Sequence, residues 1–203
     1  MASLKKLAGI FILNLLFIAS PGLSFGQIEE IPFIPTPMEV VDRMLEIAEV
    51  KSGDVVYDLG SGDGRIIIRA AKKYGARGVG IEADPQLIEL SRTKAREEGV
   101  SHLVEFRAED ALKVDLSAAT VVTLYMFPWF NEKLKPVLEN QLKPSARVVS
   151  HDFPIEGWRP TRVITLPEVE RTPGGTCTGT RSIYGRSRRS PHMGVRQICG
   201  FSP

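Results

Sequence analysis

The sequence predicts an α/β domain built on a mostly parallel, doubly wound sheet with helices on both faces. Residues 55–59 form a short apolar run that suits a strand buried on both faces. A glycine-rich turn at residues 60–64 follows it and leads directly into a helix predicted over residues 65–73. Apolar strands then alternate with helical segments as far as residue 153. In such folds a ligand binds at the carboxyl ends of the strands.

The predicted elements follow one another in the order that this fold requires. A helix begins at Pro37, with Thr36 as its N-cap and Glu39 completing a capping box. Only one further strand is evident near the carboxyl end, so the last strands of the sheet are doubtful. The other predicted helices span 85–98 and 131–141, and the other predicted strands span 77–83, 103–107, 120–127, 146–153 and 162–166.

The spacing of the glycines indicates which ligand the turn binds. A dinucleotide-binding turn has glycine or alanine at the position of Arg65, so this spacing argues against a dinucleotide. Instead, Asp58 followed by Gly60, Gly62 and Gly64 resembles motif I of the class I S-adenosylmethionine-dependent methyltransferases. The resemblance implies a Rossmann-like fold and a loop that holds the amino-acid end of the cofactor. A glycine-rich turn without any ligand is the alternative.

Two acidic positions complete the predicted cofactor site. Glu82 ends the next predicted strand, where an acidic side chain accepts hydrogen bonds from both ribose hydroxyls. Asp110 and Ala111 follow the third strand, and the methyltransferase resemblance assigns them to the adenine. Either acid could instead be a solvated loop carboxylate or a helix cap. The sequence predicts no metal site.

The methyl acceptor is expected at the carboxyl end of the fourth predicted strand. The segment from Tyr125 to Pro128 lacks the Asn-Pro-Pro-Tyr pattern of enzymes that methylate base amino groups or glutamine amides. Its aromatic side chains suit a methylene chain or a methylammonium group, although they could simply pack in the core. We assign Tyr125, Pro128 and His151 as candidate catalytic residues, with a structural histidine as the alternative for His151.

Longer stretches make the resemblance more specific. Residues 32–37, 58–65 and 148–153 resemble the family of the ATP synthase c-subunit lysine N-methyltransferase and its prokaryotic relatives. The resemblance implies S-adenosylmethionine as cofactor, a protein lysine as acceptor, and an acceptor site bordered by residues 33–36 and 125–128. Residues 127–130 depart from the eukaryotic pattern. The alternatives are a methyltransferase for a small molecule or lipid, and a cofactor-binding module without catalysis.

Residues 1–26 have the pattern of a secretory signal peptide. Lys5 and Lys6 precede an apolar run over residues 7–19, which small residues follow. The run is short for a membrane span, but it could serve as an uncleaved anchor. The first interpretation predicts an exported or periplasmic protein, and the second predicts membrane association with the domain in the cytosol. The predicted methyltransferase domain covers residues 27–170.

Residues 171–203 differ abruptly in composition from the rest of the chain. They hold six arginines, no acidic residue and both cysteines, and we predict an irregular basic tail. A shifted reading frame is one hypothesis, because residues 179–189 reread in another frame can spell a strand. A disulfide between Cys177 and Cys199, or a tail for an acidic partner, are alternatives. Residues 27–170 hold 18 basic and 24 acidic side chains, so no nucleic-acid partner is expected. The sequence does not indicate an oligomeric state.

Overall fold

The computed structural model describes residues 33–172 and 175–187, in which helices and strands alternate. Each strand of the first half leads into a helix or a short turn, as expected for a doubly wound fold. The helices are α1 (Met38–Ile47), α2 (Arg65–Tyr74), α3 (Pro85–Glu97) and α4 (Pro128–Gln141). The strands are β1 (Val55–Leu59), β2 (Arg77–Glu82), β3 (Val104–Ala108), β4 (Val121–Leu124), β5 (Arg147–His151), β6 (Arg162–Thr172) and β7 (Gly175–Ser187).

The strands form one sheet in the order β3-β2-β1-β4-β5-β7-β6. The pairs from β3 to β5 are parallel, and β7 runs antiparallel to both of its neighbours. The predicted Rossmann-like fold is confirmed. Strand order reverses at β1, so the carboxyl ends of β1 and β4 border the crevice in which such sheets bind ligands.

The carboxyl-terminal strands differ from the sequence prediction. The sequence predicts an irregular tail over residues 171–203, but residues 175–187 form β7, which pairs with β5 on one side and β6 on the other. Ile183 of this strand is fully buried in the core. Hydrogen bonding to two neighbouring strands determines this segment, and such pairing leaves no apolar periodicity in the sequence. The shifted reading frame stays a prediction about the coding DNA.

Element boundaries near the crevice also differ from the prediction. Pro37, not Thr36, is the N-cap of α1, and no side chain caps that helix. Strand β4 ends at Leu124, and α4 begins at Pro128, because proline suits the first turn of a helix. Tyr125 therefore lies in the turn between β4 and α4 rather than in the strand.

Several predictions concern residues that the structure does not describe. The signal peptide or anchor at residues 1–26 and Cys199 lie outside the described ranges. Among residues 33–172 and 175–187, no helix combines the length and the apolar character needed to cross a membrane. The same ranges contain no cluster of three or more His, Cys, Asp or Glu side chains that could hold a metal ion.

Candidate active site

The glycine turn after β1 is tightly folded against β2. The backbone N–H groups of Gly60 and Ser61 both donate to the carbonyl oxygen of Ile81, at 2.8 and 2.9 Å. Gly60 and Gly62 have φ values of 78° and 53°, in the left-handed region that favours glycine. A Cβ on Gly62 would lie only 2.3 Å from Cε2 of Phe33. The turn therefore needs glycine for its conformation and for its close neighbours.

Asp58 is a buried acid at the carboxyl end of β1. Its side chain is 3% exposed, and its Oδ1 accepts a hydrogen bond of 2.7 Å from Oγ1 of Thr123, the residue paired with it in β4. Burial raises the pKa of Asp58 to about 7. The hydrogen bond from Thr123 lowers this pKa, whereas the nearby carboxylates of Glu82 and Asp63 raise it further. A positive group at this position would stabilise the ionised carboxylate. Asp58 thus fits a ligand with a cationic amino group.

Glu82 joins the glycine turn to the end of β2. One carboxylate oxygen accepts a hydrogen bond of 2.9 Å from the N–H of Gly62. The other accepts from the N–H groups of Ala83 and Asp84, at 2.8 and 3.1 Å. These bonds fix the carboxylate at the crevice and use three of its roughly four lone-pair sites, so the oxygen that accepts from Gly62 keeps one site for a hydroxyl donor. The position and the fixed orientation fit the predicted ribose contact.

Asp110 and Ala111 lie beyond β3, next to the end of β2. The N–H of Glu109 donates to the carbonyl oxygen of Glu82 at 3.2 Å, which brings the segment after β3 close to Glu82. Asp110 is exposed, and the N–H of Leu112 donates to it at 2.9 Å and lowers its pKa. Ala111 is buried. The structure therefore brings both residues to the same edge of the sheet as Glu82, with Asp110 open to solvent.

The candidate acceptor residues form an aromatic group where β4 and β5 end. The rings of Tyr125 and Phe153 stack with centroids 6.2 Å apart, and those of Phe127 and Phe153 are tilted at 5.8 Å. The ring of His151 contacts Tyr125, at 4.0 Å between centroids. Tyr125, Phe127 and Phe153 are half-buried, so part of each ring faces solvent. We call these three residues the aromatic wall.

The other two candidate catalytic residues have different surroundings. His151 is fully buried, and its Nε2 lies 3.4 Å from Oδ2 of Asp152. Asp152 has a φ of 56°, and its Oδ1 accepts from the N–H of Ser182 in β7 at 3.0 Å. This burial places the His151 ring behind Tyr125 rather than at the open surface. Pro128 is exposed on the first turn of α4, directly after Phe127.

The structure adds a group of residues that the sequence analysis did not assign to the site. Asp63, 2% exposed, lies within the glycine turn and pairs with Arg65 and with Lys94 of α3. These partners hold the pKa of Asp63 at about 2, although burial opposes them. Arg65 also donates to the backbone of Thr36. The only signal in the sequence was an arginine where other glycine-turn families have a small residue.

Comparisons with known proteins agree with this geometry. Residues 58–162 match the model of the ANTKMT methyltransferase domain. A protein-lysine N-methyltransferase from Saccharolobus islandicus is 46% identical over 70% of this chain and 89% of its own length. An ATP synthase c-subunit lysine N-methyltransferase from Xenopus laevis is 36% identical over 66% of this chain. The aligned region spans only 58% of the length of that relative.

A solved structure is also similar to the chain over most of its length. It is described as an RNA methyltransferase from Salinibacter ruber in complex with S-adenosyl-L-homocysteine. It is 50% identical to this chain, with a TM-score of 0.66, and covers 79% of this chain and 98% of its own. The chain belongs to the ANTKMT methyltransferase domain family and is a methyltransferase.

Proposed function

We propose that this protein uses S-adenosylmethionine to methylate the side-chain amine of a lysine in a protein substrate. The observation that carries the proposal is the aromatic wall, which lies where β4 and β5 end, beside the strand that carries Asp58. The relatives named as protein-lysine N-methyltransferases support the same acceptor. The order of the strands supports the proposal, because it brings the residues assigned to the cofactor and those assigned to the acceptor to one crevice.

The cofactor site is built from residues that fit each part of S-adenosylmethionine. The buried Asp58 would pair with its cationic amino group, the glycine turn would lie against its amino-acid end, and Glu82 would accept from the ribose hydroxyls. Asp110 would accept from the adenine amino group, beside Ala111. When bound, the cofactor supplies an electrophilic methyl group on a sulfonium.

The aromatic wall would position the acceptor. Half-buried rings provide apolar contact for the methylene chain of lysine and an attractive face for its cationic head before the proton is lost. Methyl transfer needs the neutral amine, and loss of water from the amine when the substrate binds would favour that form. His151 is buried against Tyr125, so we assign it a positioning role for that ring rather than direct contact with the amine.

The alternatives receive less support. The solved relative from Salinibacter ruber is described as an RNA methyltransferase, so RNA is the competing acceptor. However, residues 27–170 hold 18 basic and 24 acidic side chains, which disfavours a broad surface for phosphates. An incomplete sheet, or export away from the cofactor, would favour a cofactor-binding module without catalysis. Because β6 and β7 complete the sheet, only export would now favour that alternative.

The proposal predicts that methyl groups are transferred to protein. We would incubate the purified chain with labelled S-adenosylmethionine and a total extract from its source cells, and then digest aliquots with protease or ribonuclease. The label should disappear with protease, survive ribonuclease, and elute as methylated lysine after acid hydrolysis. Label released by ribonuclease or extracted into organic solvent would overturn the lysine assignment and support RNA or lipid instead.

A pair of variants controls for the role of the aromatic wall. Tyr125→Phe keeps the ring that stacks on Phe153, whereas Tyr125→Leu removes it. We expect Tyr125→Phe to keep most of the rate of methyl transfer to protein, and Tyr125→Leu to reduce that rate about tenfold. The affinity for the cofactor should change little in either variant. Equal losses in both variants would show that the hydroxyl, rather than the aromatic face, matters.

We also propose that the domain faces the cytosol, with residues 7–19 as an uncleaved membrane anchor. S-adenosylmethionine is made in the cytosol, so an exported domain would lack its cofactor. Fractionated cells should contain the protein in the membrane fraction with its amino-terminal residues intact. A mature protein that begins at Gln27 in an exported fraction would contradict the anchor and support a cleaved signal peptide.

A further inference from the structure

The segment before α1, residues 33–36, is attached to the glycine turn at two points. The ring of Phe33 lies over Gly62, where it occupies the space that a side chain at Gly62 would need. Three residues further on, the carbonyl oxygen of Thr36 accepts a hydrogen bond of 2.9 Å from Nη1 of Arg65. Residues 33–36 have no helical or strand pairing of their own. We call them the lead-in segment.

Arg65 is held in the orientation that this contact needs. Its Nε and Nη2 donate to the two carboxylate oxygens of Asp63, at 2.8 and 2.7 Å, which leaves Nη1 for Thr36. Lys94 of α3 donates to the same carboxylate at 2.5 Å. Because Asp63 is almost completely buried and its pKa is about 2, this charge is present at every pH at which the protein would be assayed. A planar guanidinium is the only side chain that can make all three contacts at once.

We infer that Arg65 is a positioning residue that holds the lead-in segment as a wall of the cofactor site. Phe33 is 46% exposed while it lies on Gly62, so its open face borders the space above the turn that holds the cofactor. The lead-in segment includes Pro35 and is followed by Pro37, neither of which has an N–H to donate. It therefore depends on its side-chain contacts and on Arg65 for its position. The family resemblance assigns residues 33–36 to the acceptor site, whereas their contacts with the glycine turn place them beside the predicted cofactor site. This inference rests on the proposed cofactor site but not on the identity of the acceptor.

The test compares S-adenosylhomocysteine binding to the whole chain and to its variants. In Arg65→Gln, the lead-in segment loses its anchor at Thr36, while Asp63 loses one cationic partner and keeps the other, Lys94. We expect the dissociation rate to rise about tenfold while the association rate changes little, because a loosened wall retains the ligand less well. Phe33→Ala, at a half-exposed site where folding is not at risk, should raise the dissociation rate by a similar factor.

Arg69→Gln is the matched control, because Arg69 lies one turn further along α2 and makes the same kind of paired contact with Asp42. Its association and dissociation rate constants for S-adenosylhomocysteine should stay within about twofold of the wild-type values. The double variant Phe33→Ala, Arg65→Gln should dissociate little faster than either single variant, since both act through one segment. The inference would be overturned if Phe33→Ala left the dissociation rate unchanged, or if the effects of the two single variants multiplied in the double variant. It would also be overturned if Arg69→Gln raised the dissociation rate as much as Arg65→Gln. Absence of binding by the folded wild-type chain would instead contradict the proposed cofactor.

Discussion

Replacing Asp58 with asparagine should weaken cofactor binding and, at the same time, stabilise the cofactor-free protein. The carboxylate is buried at the end of β1, where its side-chain hydrogen bond comes from the neutral Thr123. With Glu82 and Asp63 nearby, ionisation of Asp58 is unfavourable until a cation is bound. An amide of the same shape removes that cost, but it also removes the charge that would attract the amino group of the cofactor. Affinity for S-adenosylhomocysteine should fall by about tenfold to a hundredfold.

The stabilisation should depend on pH in a defined direction. Folding raises the pKa of Asp58 from 3.8 to about 7. Below about pH 4 the carboxyl group therefore does not reduce the free energy of unfolding. The reduction grows as the pH rises and is complete above pH 7. The full cost is at most about 4 kcal/mol. The melting temperature of Asp58→Asn relative to wild type should therefore increase from pH 5 to pH 8. A thermal unfolding series without ligand measures this.

Asp54→Asn is the control for this prediction. Asp54 is also a buried acid, at the amino end of β1, but it pairs with Arg147 and accepts from Oγ1 of Thr120. Removing its charge leaves the part-buried Arg147 guanidinium with only the carbonyl oxygens of Ala48 and Glu49 as partners, so the variant should be less stable than wild type. Its affinity for S-adenosylhomocysteine should be unchanged at a temperature at which both proteins are folded. If Asp58→Asn behaves like Asp54→Asn, the buried carboxylate of Asp58 has a structural role rather than a binding role.

The parts of the site that could be predicted from the sequence are those fixed by local pattern. The apolar run that becomes β1 and the glycines after it determine a strand and a tight turn by steric rules alone. Glu82 could be placed because right-handed connections bring the carboxyl ends of β1 and β2 to the same edge. Asp84 caps α3 through the N–H of Gln86, as its position before Pro85 predicts.

The parts that could not be predicted depend on contacts between distant segments. Thr36 has the sequence signature of a helix cap, yet its side chain is not used in that way and its carbonyl group binds Arg65 instead. Local sequence does not predict the arginine contact, because it joins residues that are 29 positions apart in the chain. Strand β7 is a second case, since its backbone pairing does not depend on side-chain type. Thr123 is intermediate: a polar residue within the apolar strand β4 is a visible signal, but its partner follows only from the register.

Glu82 should be the most sensitive position for cofactor affinity, because one carboxylate serves both the ligand and the glycine turn. Its two oxygens accept from Gly62, Ala83 and Asp84, and the remaining lone-pair site would accept from a ribose hydroxyl. In Glu82→Gln the amide nitrogen cannot accept, so one of the backbone contacts and one ribose contact are lost together. We expect affinity for S-adenosylhomocysteine to fall about a hundredfold, equivalent to roughly 3 kcal/mol, in calorimetric titration.

The ligand itself provides the decisive control for Glu82. If the carboxylate binds the ribose, wild type should prefer adenosine to 2′,3′-dideoxyadenosine in competition with S-adenosylhomocysteine, and Glu82→Gln should lose most of this preference. If Glu82 only holds the turn, binding of both nucleosides should weaken equally in the variant and the preference should persist. Asp110→Asn should keep the preference in either case, because Asp110 is exposed beyond β3 and is assigned to the adenine. Its loss of affinity should be smaller, about threefold to tenfold, since exposed polar contacts contribute less than buried ones.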